Sequence, residues 1–242
     1  ADNREHVDPK AGIARFGPKS YSPARKHPKS INIGFIGTAE TISNTQRWLE
    51  GNAAGIPGTA EHPDFPGFKN DRGFFTDLAF DPDWRAQLYQ SEVSRVLNIK
   101  KSRDRFEVLE RLLDDKLQLL AQTDSPPECV ILALPDELYS KCRVAAYVDK
   151  TLGHVQRDLR RAFKANAMKY RIPTQLIRQQ TVDGRERDQP SKVAWNFFTG
   201  MYFKAGGSPW GPSGLRPNTC YVGISFYKPH GTKRSTTRTS LV

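Results

Sequence analysis

A doubly wound α/β fold with a mostly parallel sheet is what this sequence predicts, on three observations. The run Ile31-Asn32-Ile33-Gly34-Phe35-Ile36-Gly37 is short, apolar and rich in β-formers, and a helical pattern follows it directly over 41–49. The run Cys129-Val130-Ile131-Leu132-Ala133-Leu134 is apolar without a break and is stopped by Pro135, as expected of a central parallel strand covered on both faces. Strand and helix patterns then alternate to about residue 205, which is how layered α/β domains are built. Such sheets take their ligands in the crevice beyond the carboxyl ends of the strands.

Taken in chain order, residues 1–30 hold Pro9, Pro18, Pro23 and Pro28 among many Lys and Arg, a composition that reads as an extended basic arm or linker. The first strand and helix follow. The stretch 51–90 is crowded with Gly, Pro, Asp and aromatic residues and shows no periodicity that assigns its elements. Phe106, Leu109, Leu113, Leu117 and Leu120 recur every three or four positions and predict a helix that ends before Pro126-Pro127. The central strand comes next. Residues 144–169 read as one long helix, 175–181 as a strand, and 193–205 as a helix stopped by Gly206-Gly207 and Pro209. The last pattern, 219–227, is a new strand. One strand and a tail cannot bury themselves, so it either joins the first sheet or opens a second domain.

Composition narrows the function classes. The chain has 242 residues, with 37 Lys and Arg against 26 Asp and Glu, a formal charge of +11 that favours a polyanionic partner such as nucleic acid. No apolar run approaches the roughly 18–20 residues needed to cross a bilayer, so no membrane partner and a cytoplasmic protein are expected. Cys129, Cys142 and Cys220 are odd in number and far apart, and the five histidines are scattered. Neither a disulfide framework nor a metal site follows from that spacing. Gly34, Gly37 and Thr38 after the first strand lack the third glycine or the Gly-Lys-Thr/Ser ending of a nucleotide loop, so a tight strand-to-helix turn accounts for them better.

The residues that remain are mostly cations. Arg157, Arg160, Arg161 and Lys164 fall at i, i+3, i+4 and i+7 of the expected long helix, one stripe that is either a solvated face or an anion site. Lys204 at a helix end suits the macrodipole without any function. Gln175 opens a strand, where its amide could simply satisfy backbone groups, and Arg178 reads as a surface cation. Asp136 and Glu137 are adjacent and point apart; capping a helix after Pro135 is the better use for them than acid–base chemistry.

Two longer segments change the weight of these residues. Val193-Ala194-Trp195-Asn196-Phe197-Phe198-Thr199-Gly200-Met201-Tyr202-Phe203-Lys204-Ala205-Gly206-Gly207-Ser208-Pro209-Trp210, with Thr219-Cys220-Tyr221-Val222-Gly223-Ile224 downstream, resembles the MID-to-PIWI junction of Argonaute proteins. Ile172-Pro173-Thr174-Gln175 looks like the family's MID strand, and Leu134-Pro135 like the strand end that opens its loop around the first guide base. Asp8-Pro9 and Gly12-Ile13-Ala14-Arg15-Phe16-Gly17-Pro18 are similar to the leader of short prokaryotic Argonautes. The resemblance implies a Rossmann-like MID domain over 31–205 after a leader at 1–30. Residues 206–242 would then begin an RNase H-like PIWI domain whose remainder is absent from the sequence.

Carried over residue by residue, the resemblance implies that Arg160, Lys164, Gln175 and Lys204 hold the 5′-phosphate of a guide strand, with Arg161 and Arg178 as further candidates and Pro135, Asp136 and Glu137 in the first-base loop. Arg160 stands where many relatives carry Tyr, and Gly200 where they often carry a polar residue. Ser225 stands where slicing relatives place their first metal-binding aspartate, and a hydroxyl cannot supply the anionic oxygen that a two-metal site needs. The protein implied is therefore a non-slicing guide binder in antiviral or antiplasmid defence. It would take a short guide RNA, recognise single-stranded target DNA, and activate an effector with a TIR, sirtuin-like or nuclease domain. A Mg²⁺ ion bridging the 5′-phosphate is also implied, with no metal ligand from side chains of this chain. Two rivals are a slicing Argonaute whose carboxylates lie further downstream and an α/β enzyme for a phosphorylated metabolite.

Overall fold

The structure, a computed structural model, describes residues 4–22, 26–151, 153–216, 218–220, 222–227 and 238–241. Its elements in chain order are α1 (Pro9–Phe16), β1 (Ser30–Gly37), α2 (Ala39–Ala53), β2 (Phe68–Lys69), β3 (Arg72–Gly73), β4 (Asp77–Gln87), α3 (Gln90–Leu97), α4 (Ser102–Ala121), β5 (Cys129–Leu134) and α5 (Asp136–Cys142). There follow β6 (Val144–Asp149), β7 (Gly153–Asp158), α6 (Leu159–Lys169), β8 (Thr174–Arg178), α7 (Gln179–Val182), α8 (Pro190–Lys204), β9 (Ile224–Tyr227) and β10 (Arg238–Leu241).

Four strands form one parallel sheet in the order β4-β1-β5-β8, with helices on both faces. This is the doubly wound, parallel arrangement that the apolar runs predict. Side chains alternate across a strand, and β5 shows it directly: Val130, Leu132 and Leu134 pack on α3, α4, α5 and α6, whereas Cys129, Ile131 and Ala133 face the layer that holds α2 and α8. All six residues of β5 are buried. The turn from β1 into α2 is set by close packing: a Cβ on Gly37 would lie 2.3 Å from the Ala133 carbonyl oxygen, and the Thr41 hydroxyl donates to that same oxygen at 2.6 Å.

Three expectations are corrected. The leader is not an extended arm over its whole length, because Asp8 caps α1 by accepting from the Lys10 N–H at 2.7 Å and Pro9 occupies the first turn, where its missing N–H costs nothing. Ile13 is buried in the main core, and the His27 ring reaches the Tyr202 hydroxyl at 2.9 Å and the Phe75 carbonyl at 2.7 Å. Nor do residues 144–169 form one helix. Gly153 at φ +69° turns the chain between β6 and β7, and Asp158 caps α6 only from Leu159 onward.

Arg157 therefore leaves the cationic stripe. It lies on β7, donates to both Glu110 carboxylate oxygens at 2.7 and 2.6 Å, and covers the Phe106 ring. The third correction concerns the last strand, which is shorter than 219–227 and does not join the parallel sheet: β9 pairs antiparallel with β10, and Ser225 stands opposite Ser240. The unassigned stretch 51–90 supplies β4, the second strand of the sheet in chain order, and places Phe65, Phe68 and Phe74 in the core against α8.

Candidate functional site

Strand β8 is the last in the sheet, so one side of it is open. Leu159, Phe163 and Ala167 anchor α6 to one face; Ala194, Phe198 and Met201 anchor α8 to the other. Arg160 and Lys164, one turn apart, project from the exposed side of α6. Lys204 closes the last turn of α8. Behind it, Gly206 is required by its φ of +84°, and Gly207 by packing, since a Cβ there would fall 2.3 Å from the Tyr202 ring.

The Lys204 ammonium donates to the Thr174 carbonyl at 2.8 Å and to the Gln175 side-chain oxygen, the first two residues of β8. Burial lowers the pKa of Lys204, and the nearby charges of Lys164 and Arg160 lower it further. Lys164 is lowered by burial and by Arg160 as well. The buried Cys129 thiol, the other group that Lys204 feels, is pushed up to about 12 by burial and so carries no compensating charge near neutral pH. Among the described residues none of Arg160, Lys164 and Lys204 forms an ion pair with a carboxylate. Three cations, two of them with pKa values lowered by their neighbours, and the amide that Lys204 touches thus lie near one another with no carboxylate partner among the described residues, an arrangement that favours a bound anion.

The other candidates lie elsewhere. Arg161 is exposed beside Arg160, with its backbone N–H on the Asp158 cap. Arg178 ends β8 about 13 Å along the strand from its start, where it donates to the Gln180 side chain and stands over the Tyr139 ring. Pro135, Asp136 and Glu137 form the start of α5 at the carboxyl end of β5, whereas Cys129 and Lys204 mark its amino end. Asp136 is paired with Arg185 at 2.8 Å and Glu137 with Lys141 at 2.8 Å.

The expectation that a ligand sits beyond the carboxyl ends of the strands is not met by this cluster. A crevice of about 380 Å³ does lie there, between the ends of β1, β4 and β5, but Glu40 and Glu137 line it and no Lys or Arg does. That lining disfavours an anion. The cationic cluster instead uses the amino end of an edge strand, which is where the side chains of both layers can converge.

Two features of the site appear only in the fold. Thr174 contributes its carbonyl, which no side-chain pattern reveals. Gly200 faces the Gln175 amide, with a would-be Cβ at 3.8 Å from its nitrogen, so the absence of a side chain leaves that amide uncovered.

Magnesium, the cofactor implied by the resemblance, does not suit this donor set. Mg²⁺ takes hard oxygen ligands, usually carboxylates. Here the neighbouring groups are three cations, and the Thr174 and Gln175 oxygens already accept from Lys204. Among the described residues no group of three His, Cys, Asp or Glu could hold a metal ion. The residues present do not fit the ion.

The depressed lysines set an expected pH dependence. Affinity for a phosphate monoester is present where the lysines are protonated and the phosphate is a dianion, above about pH 6. It is lost as pH rises through the lowered lysine pKa values, hence at a lower pH than for an ordinary lysine of 10.5. Titrating phosphate-ligand affinity from pH 6 to 11 checks this; a loss no earlier than that of an exposed lysine would contradict it.

No protein-family model and no curated protein matches the chain. Solved structures do. One is a crystal structure of Aa-Ago with externally bound siRNA, which matches 96% of this chain and 26% of its own at 12% identity and a TM-score of 0.45. The chain thus spans about a quarter of the length of that protein, and a likeness of this size says nothing about function. Among the described residues no helix is long and apolar enough to cross a membrane.

Proposed function

We propose that this chain binds the 5′-phosphate of a short guide RNA, as the MID part of a short prokaryotic Argonaute. The observation that carries the reading is Lys204 donating to Thr174 and Gln175 at the start of β8, with Arg160 and Lys164 on α6 near enough to lower the Lys204 pKa; the resemblance matches Arg160, Lys164, Gln175 and Lys204 to the phosphate grip. A phosphate dianion between them would receive charge-assisted hydrogen bonds, about twice as strong as neutral ones. The chain's excess of eleven positive charges would follow the sugar–phosphate backbones of guide and target.

The finer reading follows the resemblance. The guide pairs with single-stranded invader DNA in the cytoplasm, Ser225 leaves the first position of a slicing site without a carboxylate, and recognition activates an effector with a TIR, sirtuin-like or nuclease domain. The phosphorylated-metabolite reading loses support from the acidic lining at the carboxyl ends of the strands. Sequencing of nucleic acid that co-isolates with the protein tests the proposal. Short RNAs of narrow length with 5′-phosphate ends are expected; fragments with no selection of length or end would contradict it.

A further inference from the structure

The reading above brings with it a bridging Mg²⁺, and the site argues otherwise. We infer that this chain holds the guide 5′-phosphate without a divalent metal, with the Lys204 ammonium and the Arg160 guanidinium supplying the charge that the ion would supply. The inference rests on the proposed function and deepens it.

Three observations carry it. First, the charges already exceed the ligand's: Arg160, Lys164 and Lys204 total +3 when protonated, against about −2 for a phosphate monoester. A divalent ion would have to approach three unpaired cations that already depress the pKa values of two of their own number. Second, the oxygens a metal could use already hold a cation, whose charge repels a second one. The Thr174 carbonyl and the Gln175 side-chain oxygen converge at the amino end of β8, and Lys204 donates to both. The ammonium already supplies a positive charge at those two oxygens, and it has a third proton left for the ligand. Third, the groups present suit a phosphate directly. A guanidinium is charged at any working pH and offers a planar fork to two phosphate oxygens. With Lys204 turned to the Gln175 oxygen, the amide nitrogen beside the open Gly200 position is free to donate.

The test uses the wild-type chain and one short RNA in two forms, with a 5′-phosphate and with a 5′-hydroxyl. Affinities of both are measured by fluorescence anisotropy after exhaustive dialysis against EDTA and again in Mg²⁺ at matched ionic strength. The preference for the phosphate form is expected to agree between the two buffers within about threefold, less than 1 kcal/mol. A preference that collapses in EDTA and returns with Mg²⁺ would overturn the metal-free inference and leave the phosphate reading standing. No preference in either buffer would overturn both.

Discussion

Replacing Lys204 by alanine is expected to weaken binding of a 5′-phosphorylated RNA by about 1.5–3 kcal/mol, the range for a hydrogen bond to a charged group. That is about a tenfold to hundredfold loss in affinity. Two effects add. The ammonium is removed from the phosphate, and the Gln175 side chain loses the donor that fixes it at the start of β8. Binding of the 5′-hydroxyl form should change little, because its backbone contacts are spread over the basic surface. The fold should survive the change: burial and two neighbouring cations already disfavour this charge, so its loss relieves repulsion while it removes two hydrogen bonds. Equal losses for both RNA forms would place Lys204 on a general basic surface and remove it from a specific pocket.

Phe198→Ala should act in the opposite way, through stability. Phe198 is fully buried and stacks on Phe65 with 5.1 Å between ring centroids, and it packs on Phe68 and Trp48. It ties α8 both to α2 and to the aromatic stretch before β4. Truncating a buried phenylalanine costs about 3–5 kcal/mol through lost transfer energy and the cavity left behind. Against a typical domain stability of about 5–15 kcal/mol, that is a large fraction. Urea denaturation should show the loss, and phosphate binding should fall only as far as the folded fraction falls. A cost below about 1 kcal/mol would mean that the aromatic cluster repacks and that α8 is held by other contacts.

The sheet was legible where burial on both faces forces apolar runs. β1 and β5 announce themselves this way, and α4 through its three-to-four spacing. β4 was not legible, because it is an edge strand with one side open: Asp81, Pro82 and Asp83 sit in it, and such residues guard edges while they erase the strand signal. The sequence of the hairpin β6–β7 predicts helix because its apolar residues also fit a helical spacing; the deciding features are the turn at Gly153 and the cap at Asp158. The prolines of the leader suggest an extended arm, but Pro9 sits in the first turn of α1, where a proline is compatible with a helix.

The candidate site divides in the same way. Arg160 and Lys164 were legible as neighbours because a helix sets them one turn apart. Lys204 and Gln175 each looked ordinary in sequence and gain meaning only from the fold, in which the end of α8 meets the start of β8. Arg157 entered the same stripe by spacing alone and proved to be the partner of Glu110.

The central claim is that the cationic edge of the sheet recognises a terminal phosphate. Its most direct test compares the affinity of the chain for one short RNA with and without its 5′-phosphate across a salt series. A preference for the phosphate of about tenfold or more, persisting as the backbone contribution falls with salt, is the predicted result. Affinities that coincide for the two RNAs at every salt concentration would contradict it.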